Sequence, residues 1–364
     1  MKTNKSVFKI INYIIVALSA IILVGIVLFV DGIDSFVNVF KNTNFAWLLC
    51  GAVLMFVYWL CEAGALHVAV LSVNKPFNFG KTLKATILGQ YYNCITPSAS
   101  GGQPMQAYYL YNSGMPVGAA SSALLVRFIV FQCALTVYCA VVLIFRYPFF
   151  AANISGFSAL VFVGFAVNSI IVLFMLGISF APKTVLRFFR FLVKVFAKIR
   201  LIKNKDEMLL RVEYEVDKFY LSLKTMQCNI WAFVKMVLFS FLQMTVYFLV
   251  PLFVIFALGV TANPLLVISC SACVLMISSF VPLPGAAGGA EGSFLVFFGL
   301  FSLGNKISAA ILLWRILTFY MPILVGIFFA QKIGGARERE EKVRLAQMQE
   351  ESFLINESKS NKDN

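Results

Sequence analysis

Charge-free apolar runs alternate with clusters of Lys and Arg along this chain. Ile10 to Val30, Ala151 to Ala181 and Met236 to Ala290 contain no charged residue. About 20 apolar residues cross a hydrocarbon core as a helix, so each run can span, and the last is long enough for two crossings. The pattern predicts full spans at roughly 10–30, 45–72, 117–145, 152–181, 229–258 and 307–331. Two further apolar segments, about 85–112 and 264–304, do not read as plain spans. The first is interrupted by Thr96-Pro97-Ser98-Ala99-Ser100-Gly101-Gly102-Gln103-Pro104. The second is interrupted by Pro282-Leu283-Pro284-Gly285-Ala286-Ala287-Gly288-Gly289-Ala290-Glu291-Gly292. Unpaired backbone groups cost several kcal/mol in lipid, so irregular backbone at that depth must be covered by protein or line a wet cavity. Matching breaks in the two halves of a chain point to a site built from discontinuous helices.

Basic loops set the orientation, because short loops rich in Lys and Arg stay cytoplasmic. The amino terminus and the Lys75–Lys84 stretch are basic, whereas the loop around Asp31 and Asp34 carries only Lys41 and faces outward. Lys183, Arg187, Arg190, Lys194, Lys198 and Arg200 mark another cytoplasmic face. With Lys84 and Lys183 on one side, 85–112 enters and leaves on the cytoplasmic side and 264–304 on the outer side. That is the arrangement of two re-entrant hairpins in an inverted repeat. Taking every arm as a full crossing changes the count by an even number, and charge does not distinguish the two.

The fold class expected is therefore an all-α integral membrane bundle, with about six spans and two broken or re-entrant hairpins. A polytopic domain covers 1–333, and a charged cytoplasmic tail, tending to disorder, covers 334–364. Composition agrees: 60% of the 364 residues are hydrophobic and 13% charged, against about 25% charged in soluble domains. Within 183–227 the basic residues recur at spacings of three and four, with Phe188, Phe189, Leu192 and Phe196 on other faces. That is the pattern of a helix lying in the interface, first of all an anchor and second a headgroup sensor. The net charge of +14 has the same source, and nucleic acid is a poor partner for basic residues that flank spans. The apolar run after Lys2, Lys5 and Lys9 is too long for a signal h-region and reads as a retained helix. Eight cysteines in apolar segments read as buried hydrophobes, and His67 as the single histidine excludes a His-rich metal centre.

Ionisable residues inside spans carry the candidate chemistry: Glu62, Arg127, Glu291 and Arg315. Each costs about 2.5–3.5 kcal/mol at a helix centre on insertion scales, so a partner or a function is expected. Arg–Glu pairs that only pin the bundle are one reading. The other is a polar cavity where Arg127 and Arg315 grip a phosphate through bidentate, permanently charged forks. Ser98, Ser100, Gln103 and the backbone of Gly101, Gly102, Gly288 and Gly289 would supply further donors, with helices starting just after Gly102 or Gly292 aiming free N–H groups inward. Glu62 and Glu291 are candidates for coupling to protons. No catalytic residue, metal or cofactor is expected, and Gly80-Lys81-Thr82 lacks the upstream glycine of a nucleotide-binding P-loop.

Taken in order, the Thr96–Pro104 break, Leu124-Leu125-Val126-Arg127-Phe128, the Pro282–Glu291 break and Arg315-Ile316-Leu317-Thr318-Phe319-Tyr320 resemble the membrane region of lysylphosphatidylglycerol synthases, the bacterial multiple peptide resistance factors. The resemblance runs to about residue 333. It implies a flippase that moves aminoacylated phosphatidylglycerol to the outer leaflet of the bacterial cytoplasmic membrane, where added positive charge repels cationic antimicrobial peptides. In that family a separate cytosolic domain makes the lipid, and the roughly thirty residues after 333 do not resemble it. The partners expected are thus a phospholipid (phosphatidylglycerol or its lysyl ester) and a separate synthase, with self-association left open. Rival readings are a phosphatidylglycerol lysyltransferase, a transporter of polyprenyl-phosphate-linked glycan, and a scaffold subunit.

Overall fold

The computed structural model describes residues 41–73, 76–198, 205–227, 229–279, 281 and 283–330. The predicted first span, 10–30, and the tail from 334 lie outside them. Helices α1 (Phe45–Val73) and α8 (Ile230–Ala257) form the central pair. At 1.5 Å per residue, α1 is about 43 Å long, ample for a crossing. The two run antiparallel along their length. The Asn44 N–H donates to the Ala257 carbonyl (2.8 Å) at one end, Tyr58 packs on Tyr247 at the middle, and Gly64 lies against the Phe239 ring at the other. Capping fixes where the helices begin: Asn44 accepts from the Ala46 N–H and Asn229 from the Ala232 N–H, each at 3.0 Å.

Each glycine break is a helix–turn–helix hairpin. The first is α2 (Phe79–Ile95), a tight turn at Pro97–Ala99, and α3 (Gly102–Asn112). Its two ends lie together, since Lys81 Nζ donates to the Ser113 carbonyl at 3.1 Å. Helix α4 (Val117–Asn153) follows, then α5 (Phe157–Phe180), α6 (Pro182–Lys198) and α7 (Lys205–Gln227). The second hairpin is α9 (Pro264–Ser278), a turn at Pro284–Ala286, and α10 (Gly289–Phe298). It too returns to its starting end: Lys306 Nζ, on the first turn of α11 (Gly304–Ala330), donates to the Leu258 carbonyl at 2.9 Å. Leu258 sits at the Asn44 end of the central pair, whereas α2 starts just beyond its Val73 end. The hairpins therefore enter from opposite ends, and their arms, of 17 and 11 residues and of 15 and 10, are too short to cross.

The two halves repeat one design. Long helix, hairpin and long helix occur as α1, α2–α3, α4 and again as α8, α9–α10, α11. The sequence carries the repeat: Val57-Tyr58-Trp59-Leu60 answers Val246-Tyr247-Phe248-Leu249, Pro97-x-Ala99-x-Gly101-Gly102 answers Pro284-x-Ala286-x-Gly288-Gly289, and Leu124-Leu125-x-Arg127 answers Leu312-Leu313-x-Arg315. Tyr58 and its counterpart Tyr247 are in ring contact at 5.3 Å, and the two hairpin turns pack on each other. Residues that touch their own counterparts lie on a pseudo-two-fold axis. Since α1 and α8 are antiparallel, the repeat is inverted.

Among the described residues, α1, α4, α8 and α11 are long and apolar enough to cross a membrane, and the 24-residue α5 fills the span predicted at 152–181. One boundary differs from expectation. Helix α4 does not stop at 145 but runs through Pro148 to Asn153. The fully buried Phe150 ring packs on Phe157 and Phe297, and that packing holds the last turns despite the hydrogen bond Pro148 forfeits. The 183–227 insert is the hairpin α6–α7, joined by Arg190 to Glu213 at 2.8 Å on the surface.

Candidate functional site

Two ion pairs, each with one buried member, flank the meeting point of the hairpins. On α1, Glu62 is 2% exposed, and its Oε1 lies 2.9 Å from Arg127 Nη2 on α4. Its Oε2 accepts from Gln90 Nε2 of the first hairpin at 2.5 Å and from Gln243 Nε2 of α8 at 3.3 Å. Gln90 Nε2 also reaches Tyr58 Oη at 3.3 Å. Four elements thus meet at one carboxylate, which holds three polar contacts. The Arg127 guanidinium lies over the Phe131 ring at 5.8 Å, and its Nε is buried without a hydrogen-bond partner.

The second pair belongs to the other half. Arg315 Nε lies 2.7 Å from Glu291 Oε1, and Nη1 donates to the Gly285 carbonyl at 2.9 Å. The Nε contact is out of line for a hydrogen bond, and Nη2 is buried with no partner. Glu291 Oε2 accepts the Gly288 N–H at 2.7 Å, so this carboxylate also closes the hairpin turn. Arg315 stands over Trp314 and Phe319 at 5.2 and 5.5 Å. A π-helical stretch, Ile316–Tyr320, begins one residue later; such bulges often accompany functional sites.

Two cavities open between these pairs. One, of about 640 Å³, is lined by Glu62, Gln90, Ser98, Ser100, Gln103 and Arg127 among others. The other, of about 380 Å³, is lined by Asn93, Gln132, Tyr247, Ser271, Arg315 and Thr318 among others. They share a wall of Tyr58, Gln90, Asn93, Ser98, Ala99 and Phe131. The wall is the first hairpin turn backed by the axial tyrosine. Both turns hold a strained, left-handed backbone, Ser98 at φ 52° and Ala99 at φ 51°, answered by Gly285 at 61° and Ala286 at 53°. A non-glycine residue pays for that conformation, and such strain persists only where surrounding contacts over-determine it.

The residues singled out from sequence divide accordingly. Ser98, Ser100, Gln103 and Arg127 line the larger cavity, and Arg315 lines the smaller, with Ser98 on both. Gly101 and Gly102 lie behind the wall and let α2 and α3 approach: a Cβ on Gly102 would stand 2.7 Å from the Gly89 carbonyl oxygen. Gly288, Gly289 and Glu291 line neither cavity, though Glu291 braces Arg315 from beneath. One helix start differs from expectation. Helix α10 starts at Gly289 rather than after Gly292. Three N–H groups at these starts are taken up within their own hairpins: Gly101 donates to Thr96 Oγ1 at 2.8 Å, Gly102 to Asn93 Oδ1 at 3.1 Å and Gly288 to Glu291. Sequence reasoning passed over Tyr58, Gln90, Asn93, Gln132 and Gln243. Their signal was available, because a Gln inside an apolar run such as 236–290 needs a partner for its amide.

The family model for the lysylphosphatidylglycerol synthase TM region matches residues 14–326. A UPF0104 membrane protein of Archaeoglobus fulgidus is 23% identical over 295 residues, 79% of this chain and 87% of that protein. The UPF0104 membrane protein MJ1595 of Methanocaldococcus jannaschii is 21% identical over 323 residues, 86% of this chain and 92% of that protein.

Proposed function

This chain belongs to the lysylphosphatidylglycerol synthase TM region family, and on that premise we propose that it binds a phosphate-bearing phospholipid headgroup and carries it between leaflets. The observation that carries the reading is Arg315: 6% exposed, lining a cavity of mixed polar and apolar walls, with one guanidinium N–H pair left without an acceptor. A buried donor with no partner costs about 1–3 kcal/mol, a cost a phosphate oxygen would remove. Arg127 presents the same chemistry to the adjoining cavity through its unmet Nε. The neutral groups around them (Ser98, Ser100, Gln103, Asn93 and Thr318) suit a hydrated headgroup rather than an acyl chain.

Phosphatidylglycerol or its lysyl ester is the lipid the family name favours. Were the lysyl ester the cargo, its delivery to the outer leaflet would add surface charge against cationic peptides, and a separate synthase would supply it. In proteoliposomes, fluorescent phosphatidylglycerol on the inner leaflet should become accessible to a membrane-impermeant reductant faster than in protein-free vesicles. No acceleration, together with no binding of phosphatidylglycerol by the purified protein, would sink the reading. Lipid extracts of deletion cells separate the rivals: lysyl-lipid that is retained but inward-facing supports translocation, whereas its disappearance indicates a transferase.

A further inference from the structure

Gln132 of α4 lines the cavity that holds Arg315, and a hydrogen-bond chain through α5 fixes which way its amide faces. The Thr136 hydroxyl has one proton, which goes to the Gln132 backbone carbonyl at 2.8 Å. Its oxygen is left to accept, so the group that Asn168 of α5 turns toward it, at 2.8 Å, is the amide nitrogen. That orientation aims Asn168 Oδ1 at Gln132, where it accepts from Nε2 at 2.8 Å. Side-chain amides are oriented by their networks, and here every link has one sense. Gln132 Oε1 is the end left over. No described donor reaches it, and it keeps access to the cavity.

The hydroxyls around that cavity share the bias. Ser271, Ser278, Ser279 and Thr318 line it, and each gives its proton to a backbone carbonyl at 2.7 to 3.1 Å. What they retain for a ligand is lone pairs. Arg315 offers the opposite, an N–H pair without an acceptor. One molecule must therefore bring acceptor oxygens to the guanidinium and donors to Gln132 and the hydroxyl oxygens. A phosphate diester with hydroxyls on its headgroup meets both demands. An ammonium would also donate, but the described residues lining this cavity set Arg315 beside it and supply no carboxylate. Like charges repel strongly where water is scarce.

We propose that Gln132 is a specificity-determining residue that accepts a hydrogen bond from a headgroup hydroxyl. Asn168 is its positioning residue, which keeps the carbonyl oxygen of the amide toward the lipid. The inference rests on the function proposed above for the phosphate at Arg315, and what it adds is the hydroxyl. A hydrogen bond that only fastened α5 to α4 would serve stability and leave lipid preference untouched.

Phosphatidylpropanol shares the charge and phosphate diester of phosphatidylglycerol but lacks its headgroup hydroxyls, so the pair isolates the contact. Each lipid competes with chain-labelled fluorescent phosphatidylglycerol for full-length protein in detergent micelles. Phosphatidylglycerol should compete roughly three- to tenfold better than phosphatidylpropanol, the worth of one neutral hydrogen bond. Gln132→Leu and Asn168→Leu should each abolish that preference, and phosphatidylethanolamine should compete no better than phosphatidylpropanol. No preference in the unaltered protein, or one that survives Gln132→Leu, would overturn the hydroxyl contact. A preference that survives Asn168→Leu would overturn the positioning role, and phosphatidylethanolamine ahead of phosphatidylglycerol would put an ammonium in the hydroxyl's place. Equal competition by the two anionic lipids, both ahead of diacylglycerol, keeps the phosphate reading and removes this one. Competition by none of them removes the phosphate reading and the hydroxyl contact with it.

Discussion

Arg127 and Arg315 hold equivalent positions in the two halves, yet their surroundings ask different things of a substitution. Removing either guanidinium leaves a carboxylate buried without its counter-charge, which costs about 3–5 kcal/mol in comparable pairs. Arg127→Ala and Arg315→Ala should therefore abolish lipid translocation, with the folded fraction measured alongside by size-exclusion chromatography. Lysine keeps the charge but loses the planar fork, so Arg→Lys at each position should fold as the parent does and transport poorly. Full transport by both lysine variants would remove the phosphate-fork argument. The glycines allow a sharper contrast. A methyl at Gly102 meets the Gly89 carbonyl oxygen, backbone that yields only by separating α2 from α3. Such overpacking costs about 1–3 kcal/mol. Gly292, inside α10, has open space around the same position, and Ala there should stabilise by about 0.4–1 kcal/mol through the unfolded chain. Thermal unfolding should thus shift down for Gly102→Ala and up or not at all for Gly292→Ala, and shifts of the same sign would contradict the packing described.

The hairpins are the elements that turn a bundle into a site, and they were the most legible part of the sequence. Proline and clustered glycine announce a break whatever the tertiary context, and the basic loops fix which ends lie together. The end of α4 was not legible, because Phe150 holds the helix past Pro148 through rings that come from α5 and α10. The site was legible as residue types but not as pairs. Glu62 finds Arg127 on one side and, 181 residues further along the chain, Gln243 on the other, a distance no local pattern spans. Likewise, nothing in the order of residues says that Glu291 caps its own turn while bracing Arg315. Opposite entry of the two hairpins has a direct test. In a protein freed of native cysteines, Ser100→Cys should react slowly with an impermeant maleimide from the side of Lys84 and Lys183, and Ala287→Cys slowly from the other. Reaction of both from one side alone would contradict the inverted arrangement and separate the two breaks into unrelated features.

Across the whole molecule the two halves are alike in backbone and unlike in where they keep their acid. Continuing the register from Tyr58 and Tyr247 sets Pro251 opposite Glu62, and continuing it from Gly102 and Gly289 sets Pro104 opposite Glu291. Among the described residues each half thus has one arginine–carboxylate pair, but the first takes its acid from the long helix and the second from the hairpin. This makes the Arg127 network the one that bridges the halves, through the 3.3 Å contact of Gln243 with Glu62, while the Arg315 network closes within its own half. Passage of a headgroup from one arginine to the other must open the shared wall, whose first hairpin turn packs on the second. Tethering the two turns should therefore stop transport without disturbing either ion pair. With native cysteines removed, Ala99→Cys and Ala286→Cys joined by a short cleavable bis-maleimide should bind phosphatidylglycerol as the untethered protein does. The tethered protein should fail to equilibrate the lipid between leaflets and recover on cleavage of the linker. Undiminished transport by the tethered protein would mean that the headgroup does not pass between the turns, and would leave the two cavities as separate sites rather than two stations on one path.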